Sequence, residues 1–182
     1  MSACRVYIGA CPSGYSDRAV AVVKASILAN TDAEVEFAVC GDGTGSTGFS
    51  KVRYNPPWDE GFAIYLDSDV IVYGDIQELW DARKEGKWIG TYSRQKQTDE
   101  LVEGCMPGVT DCSILGSVDT LIDLKAQGLY ECGFGEEWNM VDRIGEGTKL
   151  LHLSRQKRQP WNPNARCDRH IDKLWLEYDE RV

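Results

Sequence analysis

The chain has 182 residues, 42% apolar and 27% charged, a balance that suits one globular domain with its own core and excludes a disordered segment. Its net charge of −9 argues against a nucleic-acid polymer as partner, because phosphate backbones select basic surfaces. A small nucleotide, held by a cation and backbone amides, stays compatible with that charge.

RVYIGA (5–10) reads as a short strand ended by the turn-forming CPSG. A helix is predicted from Ser16 or Asp17 to Ala29, with Asn30 as its stop signal. EVEFAVC (34–40) and KVRYN (51–55) are the next expected strands, the latter closed by Pro56-Pro57. FAIYL (62–66) is a run typical of a strand buried on both faces. After Asp67-Ser68-Asp69 the apolar pattern resumes as VIVY (70–73), then Asp75 is suited to cap a helix, IQELWDARKEG. KWIGTY (87–92), CSILGS (112–117) and KLLHL (149–153) read as strands. VDTLIDLKAQG (118–128), EEWNMVDRIG (136–145) and HIDKLWLEY (170–178) read as helices. Alternating strands and helices predict a layered α/β domain with a mostly parallel sheet.

Residues 43–48, GTGSTG, match G-x-G-x-x-G, but a strand-like run follows where a dinucleotide site needs a helix to begin. No Gly-Lys-Ser/Thr is present, so the segment reads as a connection. The seven cysteines (4, 11, 40, 105, 112, 132, 167) form no C-x-x-C pair and fit reduced thiols rather than a disulfide scaffold or zinc site. The first residues lack a basic region followed by a long apolar one, and no run is long enough to span a membrane, so a cytoplasmic protein is expected.

Asp67 and Asp69 carry the main functional signal. An interior strand cannot bury two unpaired acids, so they belong at a strand end or beside a cation. They follow a buried strand, and open α/β sheets bind ligands at the carboxyl ends of their strands. Two carboxylates one residue apart also suit a hard divalent ion. A haloacid-dehalogenase-type phosphatase would place a similar D-x-D motif at its first strand, with Thr or Val two residues beyond. Here Ile71 holds that position and the motif comes mid-chain.

IYLDSDVIVYGDIQELWD (64–81) resembles the D-x-D segment of GT-A-fold nucleotide-sugar glycosyltransferases of the glycogenin and bacterial galactosyltransferase family. LLHLSRQKRQPWN (150–162) resembles that family's late H-x-x-G-x-x-K-P-W segment with one residue more. The resemblance covers about residues 3–162. It implies one GT-A domain over 1–182: a nucleotide-binding part of about 1–92, a sugar and acceptor part of about 93–162, and a C-terminal helix of about 166–180.

The activity implied is transfer of a hexose, with retention, from UDP-glucose or UDP-galactose to an unknown acceptor, with Mn²⁺ or Mg²⁺ as cofactor. Asp67, Asp69 and His152 would ligate the metal. Asp67, Ser68, Ala10, Cys11 and Tyr15 would contact the nucleotide, and Lys157 or Arg158 the diphosphate. Glu136 and Glu137 stand where the family has Asp-Gln, and Thr110-Asp111-Cys112 where it has Asn-Ser-Gly. Glu136, Glu137 and Asp111 are therefore the catalytic or sugar-binding candidates. Relatives usually carry extra acceptor-shaping segments, so a second copy or another partner could complete the acceptor site. A non-catalytic module that holds nucleotide and metal is the alternative from another class.

Overall fold

The computed structural model describes residues 3–12, 14–41, 51–94, 100–115, 118–167 and 169–182. The glycine-rich run 43–48 lies outside them. In chain order the elements are β1 (Cys4–Gly9), α1 (Asp17–Ala29), β2 (Val35–Cys40), β3 (Phe62–Asp67), β4 (Val70–Val72), α2 (Gln77–Asp81), β5 (Trp88–Arg94), β6 (Leu101–Asp111), α3 (Leu121–Ala126), β7 (Tyr130–Phe134), β8 (Met140–Val141), β9 (Leu150–His152) and α4 (His170–Asp179). Single 3-10 turns lie at Val52–Tyr54, Cys112–Ile114, Glu136–Trp138 and Gln156–Arg158.

The larger sheet has the order β2-β1-β3-β6-β5-β7, and the smaller has β4-β9-β8. The expected mostly parallel sheet is corrected to a mixed one: β1–β2, β1–β3 and β5–β7 pair in parallel, whereas β6 runs against both β3 and β5. β3 is central because Ala63 to Leu66 are wholly apolar or aromatic and fully buried between β1 and β6. α1 buries Ala19, Val20, Val22, Val23 and Ile27 at helical spacing. It ends at Asn30, whose amide donates to the carbonyls of Ser26 (2.8 Å) and Val72 (3.0 Å), tying the helix end to β4.

Several expected elements take another form. Residues 51–55 are not a strand but a 3-10 turn that buries Val52 and sends Arg53 inward. Residues 112–114 also form a 3-10 turn, because Asp111 accepts the Ser113 N–H and caps it. The helix expected over 136–145 is one 3-10 turn followed by β8, since Trp138 and Asn139 are both buried and Asp142 turns the chain at φ 51°. Both β6 and β7 go unpredicted. LVEGCMPGVTD and YECGF carry too much glycine, proline and charge to read as strands. The thiols of Cys4 and Cys112 are buried and pushed up to about 11, chiefly by burial, so they are inert packing groups.

A second apolar cluster lies beside the main core. Ile171, Trp175 and Tyr178 on one face of α4 pack with Ala19 and Val22 of α1, with Leu151 of β9, and with Trp161. The Trp161 and Trp175 rings stand 5.5 Å apart, and Arg18 of α1 pairs with Asp179 of α4. The tail helix is thus packed on its own chain. Trp175→Ala should cost about 3–5 kcal/mol and loosen α4, as buried tryptophan truncations do. Chemical denaturation with tryptophan fluorescence checks this; a change below about 1 kcal/mol would mean that α4 contributes little to the fold.

Candidate metal and donor site

Sheet pairing assembles the site. β1 and β3 run parallel with Gly9 opposite Asp67, and the Ser68 N–H donates to the Gly9 carbonyl at 3.1 Å. The chain leaving β1, Ala10 and Cys11, therefore runs beside Asp67-Ser68-Asp69. Its path is fixed by the Ala10 N–H on the Cys40 carbonyl (2.8 Å) and the Cys11 N–H on Ser16 Oγ (2.7 Å). On the other side, β4 and β9 pair antiparallel with Val70 opposite His152, and the Leu153 N–H donates to the Asp69 carbonyl at 2.7 Å. A strand of three residues thus delivers His152 to the aspartates.

One ligand atom each from Asp67, Asp69 and His152 lies within 4.8 Å of the others. Asp67 is buried, and its Oδ1 accepts from Tyr65 Oη at 2.5 Å and lies 3.4 Å from an Arg53 nitrogen. Burial pushes the Asp67 carboxyl up, Arg53 opposes this, and the neighbouring Asp69 charge adds to the rise. Asp69 Oδ2 accepts from Gln159 at 2.9 Å, while its Oδ1 is buried without a hydrogen-bond partner among the described residues. His152 Nε2 lies 3.3 Å from that oxygen. Burial alone would push the imidazole down, but Asp69, helped by Asp67, outweighs it and raises His152 above its ordinary 6.5.

Two acids and one imidazole thus converge on a common point, with Asp69 Oδ1 and His152 Nε2 facing each other across it. Oxygen ligands with one imidazole suit Mn²⁺, or Mg²⁺ less well. The residues present fit a divalent ion.

The other expected residues divide. Ser68 is buried at the junction, whereas Tyr15 is about half exposed. Lys157 and Arg158 stand in an exposed turn just past β9 and line an open concavity with Ser154 and Arg155. The residue directly before Pro160 is Gln159, buried and committed to Asp69. Glu136 leaves β7 near the end of β5, where Arg94 holds both its oxygens at 2.9 Å and Arg143 adds a contact at 2.7 Å. Arg94 first, then Arg143, keeps its carboxyl below the usual range, so it is a weak base already engaged. Glu137 is half-buried and folded back over Gly135, where an added Cβ would fall 2.1 Å from its carboxylate oxygen.

Asp111 is a correction. It pairs with Phe62, at the far end of β3 from Asp67; five residues of strand separate those ends, about 16 Å. Burial pushes its carboxyl up, but hydrogen bonds from Gly86 N–H (2.8 Å) and from Ser113 outweigh it and hold it low. It is a structural cap. On β6, Met106-Pro107 rather than Thr110-Asp111-Cys112 lies beyond the Tyr65–Gly108 pair towards the Asp67 end.

No family model and no curated protein sequence matches the chain. Solved structures do. The chain is similar to the glycosyltransferase GlyE of Streptococcus pneumoniae TIGR4, with TM-score 0.66 and 14% identity over 98% of this chain and 60% of that one. It is similar to the galactosyltransferase LgtC, solved in complex with donor and acceptor sugar analogs, with TM-score 0.65 and 12% identity over 98% and 96%. A glycosyltransferase involved in glycosylation of the major capsid of PBCV-1 matches at TM-score 0.50 and 12% identity over the whole of both chains. The fold is that of the GT-A glycosyltransferases. The phosphatase alternative loses its footing with this architecture. Within the GT-A frame the chain spans 60% of GlyE's length.

Arg53, Tyr65, Asn139 and Gln159 escape the sequence reading. Tyr65 alone had a usable signal: it lies two residues before Asp67, hence on the same face of the strand.

His152 also sets a pH dependence. Its folded-state pKa is raised, so the stabilisation from holding it charged beside the aspartates is fully present below 6.5 and is lost as pH rises through the higher folded value. Chelator-treated protein should therefore lose stability across that interval, and His152→Gln should flatten the slope. Denaturation midpoints at several pH values test this; an unchanged slope would remove His152 from the charge cluster.

Proposed function

We propose that the chain is a metal-dependent glycosyltransferase moving a hexose from a nucleoside-diphosphate sugar, UDP-glucose or UDP-galactose, to an acceptor hydroxyl with retention. One observation carries the proposal: Asp67, Asp69 and His152 bring one ligand atom each within 4.8 Å of the others at the carboxyl end of β3 in a GT-A fold. The galactosyltransferase LgtC, solved with donor and acceptor sugar analogs, supports the donor class.

In the reaction the bond between the anomeric carbon and a diphosphate oxygen breaks as the acceptor oxygen bonds to that carbon. The acceptor's proton passes to the departing diphosphate. When bound, Mn²⁺ or Mg²⁺ supplies Lewis-acid stabilisation of the negative charge that grows on the diphosphate. Asp67, Asp69 and His152 would hold the ion. Lys157 and Arg158, with Arg155 beside them, would bring further positive charge from the exposed turn. Ala10, Cys11 and Ser68 would border the nucleotide, and Tyr15 would offer its exposed ring to the base. Of the acids considered for catalysis, Glu136 is engaged by two arginines and Asp111 stands at the opposite end of β3. That leaves Glu137 as the remaining candidate acid for a sugar-contacting role, and the preference for retention rests on the family resemblance.

Thermal shifts with uridine nucleotides and nucleotide sugars, with Mn²⁺ or chelator, should reveal a stabilisation that chelation abolishes. Slow metal-dependent release of free hexose is expected even without an acceptor. Asp69→Ala should remove the shift and lower hexose release about 10²–10³-fold, the scale of losing one charge-stabilising element. Metal-dependent nucleotide binding without hexose release or transfer would favour the non-catalytic module. No metal-dependent shift with any nucleotide would overturn the proposal.

A further inference from the structure

Two buried carboxamides surround the metal residues, and neither was visible as functional in the sequence. Asn139 donates from Nδ2 to the Met106 carbonyl at 3.0 Å. A carbonyl can only accept, so this contact fixes which way the amide faces. Asn139 Oδ1 is thereby turned to His152 Nδ1, also at 3.0 Å. An acceptor at that distance requires Nδ1 to carry the hydrogen, which leaves the lone pair of the neutral ring on Nε2. Nε2 is the atom that stands 3.3 Å from Asp69.

Gln159 acts on the other ligand. Its Nε2 donates to Asp69 Oδ2 at 2.9 Å and to the Leu153 carbonyl at 3.1 Å. Both partners are acceptors, so this amide too has one orientation. With Oδ2 engaged, Asp69 cannot rotate without breaking a buried hydrogen bond, and Oδ1 is left directed at His152. Asn139 is 7% exposed and Gln159 5%, so water competes poorly for either contact.

We infer that Asn139 and Gln159 are positioning residues: Asn139 keeps the His152 hydrogen on Nδ1 whenever the ring is neutral, so that Nε2 is the ligand atom, and Gln159 holds Asp69 with Oδ1 towards it. The inference rests on the metal reading of Asp67, Asp69 and His152. Groups behind metal ligands commonly control affinity by fixing tautomer and orientation, and their loss costs about 10- to 100-fold. An ordinary structural role would be served by any pair of buried hydrogen bonds. Here the four contacts agree in occupying the outward atoms and leaving His152 Nε2 and Asp69 Oδ1 to face one another.

The test uses the full chain, Asn139→Leu and Gln159→Met, with circular dichroism to confirm folding. Nitrogen-15 NMR of the histidine rings in metal-free protein, at a pH where His152 is neutral, reads the tautomer directly. Titration calorimetry with Mn²⁺ reads affinity without any turnover. The expected results are an Nδ1–H tautomer in the wild type and its loss in Asn139→Leu. Gln159→Met should keep the tautomer, and Mn²⁺ affinity should fall about 10- to 100-fold in each variant. An Nε2–H tautomer in the wild type would overturn the inference whether or not the variants fold. So would wild-type Mn²⁺ affinity in both variants. A wild type with the Nδ1–H tautomer but no Mn²⁺ binding would instead overturn the metal reading on which the inference rests.

Discussion

Two carboxylates at the end of a buried strand are the constraint around which this molecule is arranged. Each ionised acid removed from water costs several kcal/mol unless a partner compensates it. Asp67 has Arg53 and the Tyr65 hydroxyl; Asp69 has Gln159 on one oxygen and His152 near the other. The compensation is deliberate on one side and incomplete on the other. Arg53 comes from a turn 14 residues before Asp67, and its guanidinium also lies over the Tyr65 ring at 5.4 Å. Asp67 is thus fixed by the main core, whereas Asp69 Oδ1 has no well-aligned hydrogen bond among the described residues and faces only the His152 imidazole, 3.3 Å away.

Charge elsewhere follows the same economy. The chain carries −9 overall, yet the turn beyond β9 concentrates Arg155, Lys157 and Arg158 around one open concavity. Asp142, almost buried, lies 3.6 Å from Arg155 and 3.7 Å from Arg169, and its N–H donates to the His152 carbonyl. Arg169 in turn donates to the Arg158 carbonyl at 3.1 Å and pairs with Asp172. The basic turn is therefore anchored at its backbone while the side chains of Lys157 and Arg158 stay exposed. Anchored backbone with exposed cations is what anion capture requires, because less side-chain and loop entropy is lost on binding.

The parts of this design that could be read from the sequence are those with local signatures. The D-x-D motif follows an apolar strand, so its place at a strand end is legible from the residues themselves, whereas His152 joins it only through the family resemblance. The residues that tune them are not. Arg53 lies in what reads as a strand but forms a 3-10 turn, and Asn139 lies in what reads as a helix but precedes a two-residue strand. In both places periodicity is short and tertiary packing decides. β6 is illegible for another reason: glycine and proline fill it, yet two neighbouring strands cover it, so ladder pairing overrides propensity. The misreading of Asp111 follows from that omission, since without β6 its distance from Asp67 along β3 is invisible.

The second core gives the tail of the chain a functional reason. Pro160 and Trp161 follow Gln159 directly, and Trp161 is packed against Trp175 of α4 within the cluster that also holds Leu151 and Leu153. Leu151 and Leu153 flank His152. The imidazole and the amide that restrains Asp69 are therefore both set on one apolar cluster rather than on a surface loop. Restraint of about half an ångström is what a preorganised site needs from its support, and close-packed interiors supply it where loops do not. Asp67, by contrast, is held by β3 and Arg53 in the main core. The site therefore lies where the two apolar clusters meet, the small sheet sending Val70, Val72 and Leu150 into the main core and Ile71 and Leu151 into the second.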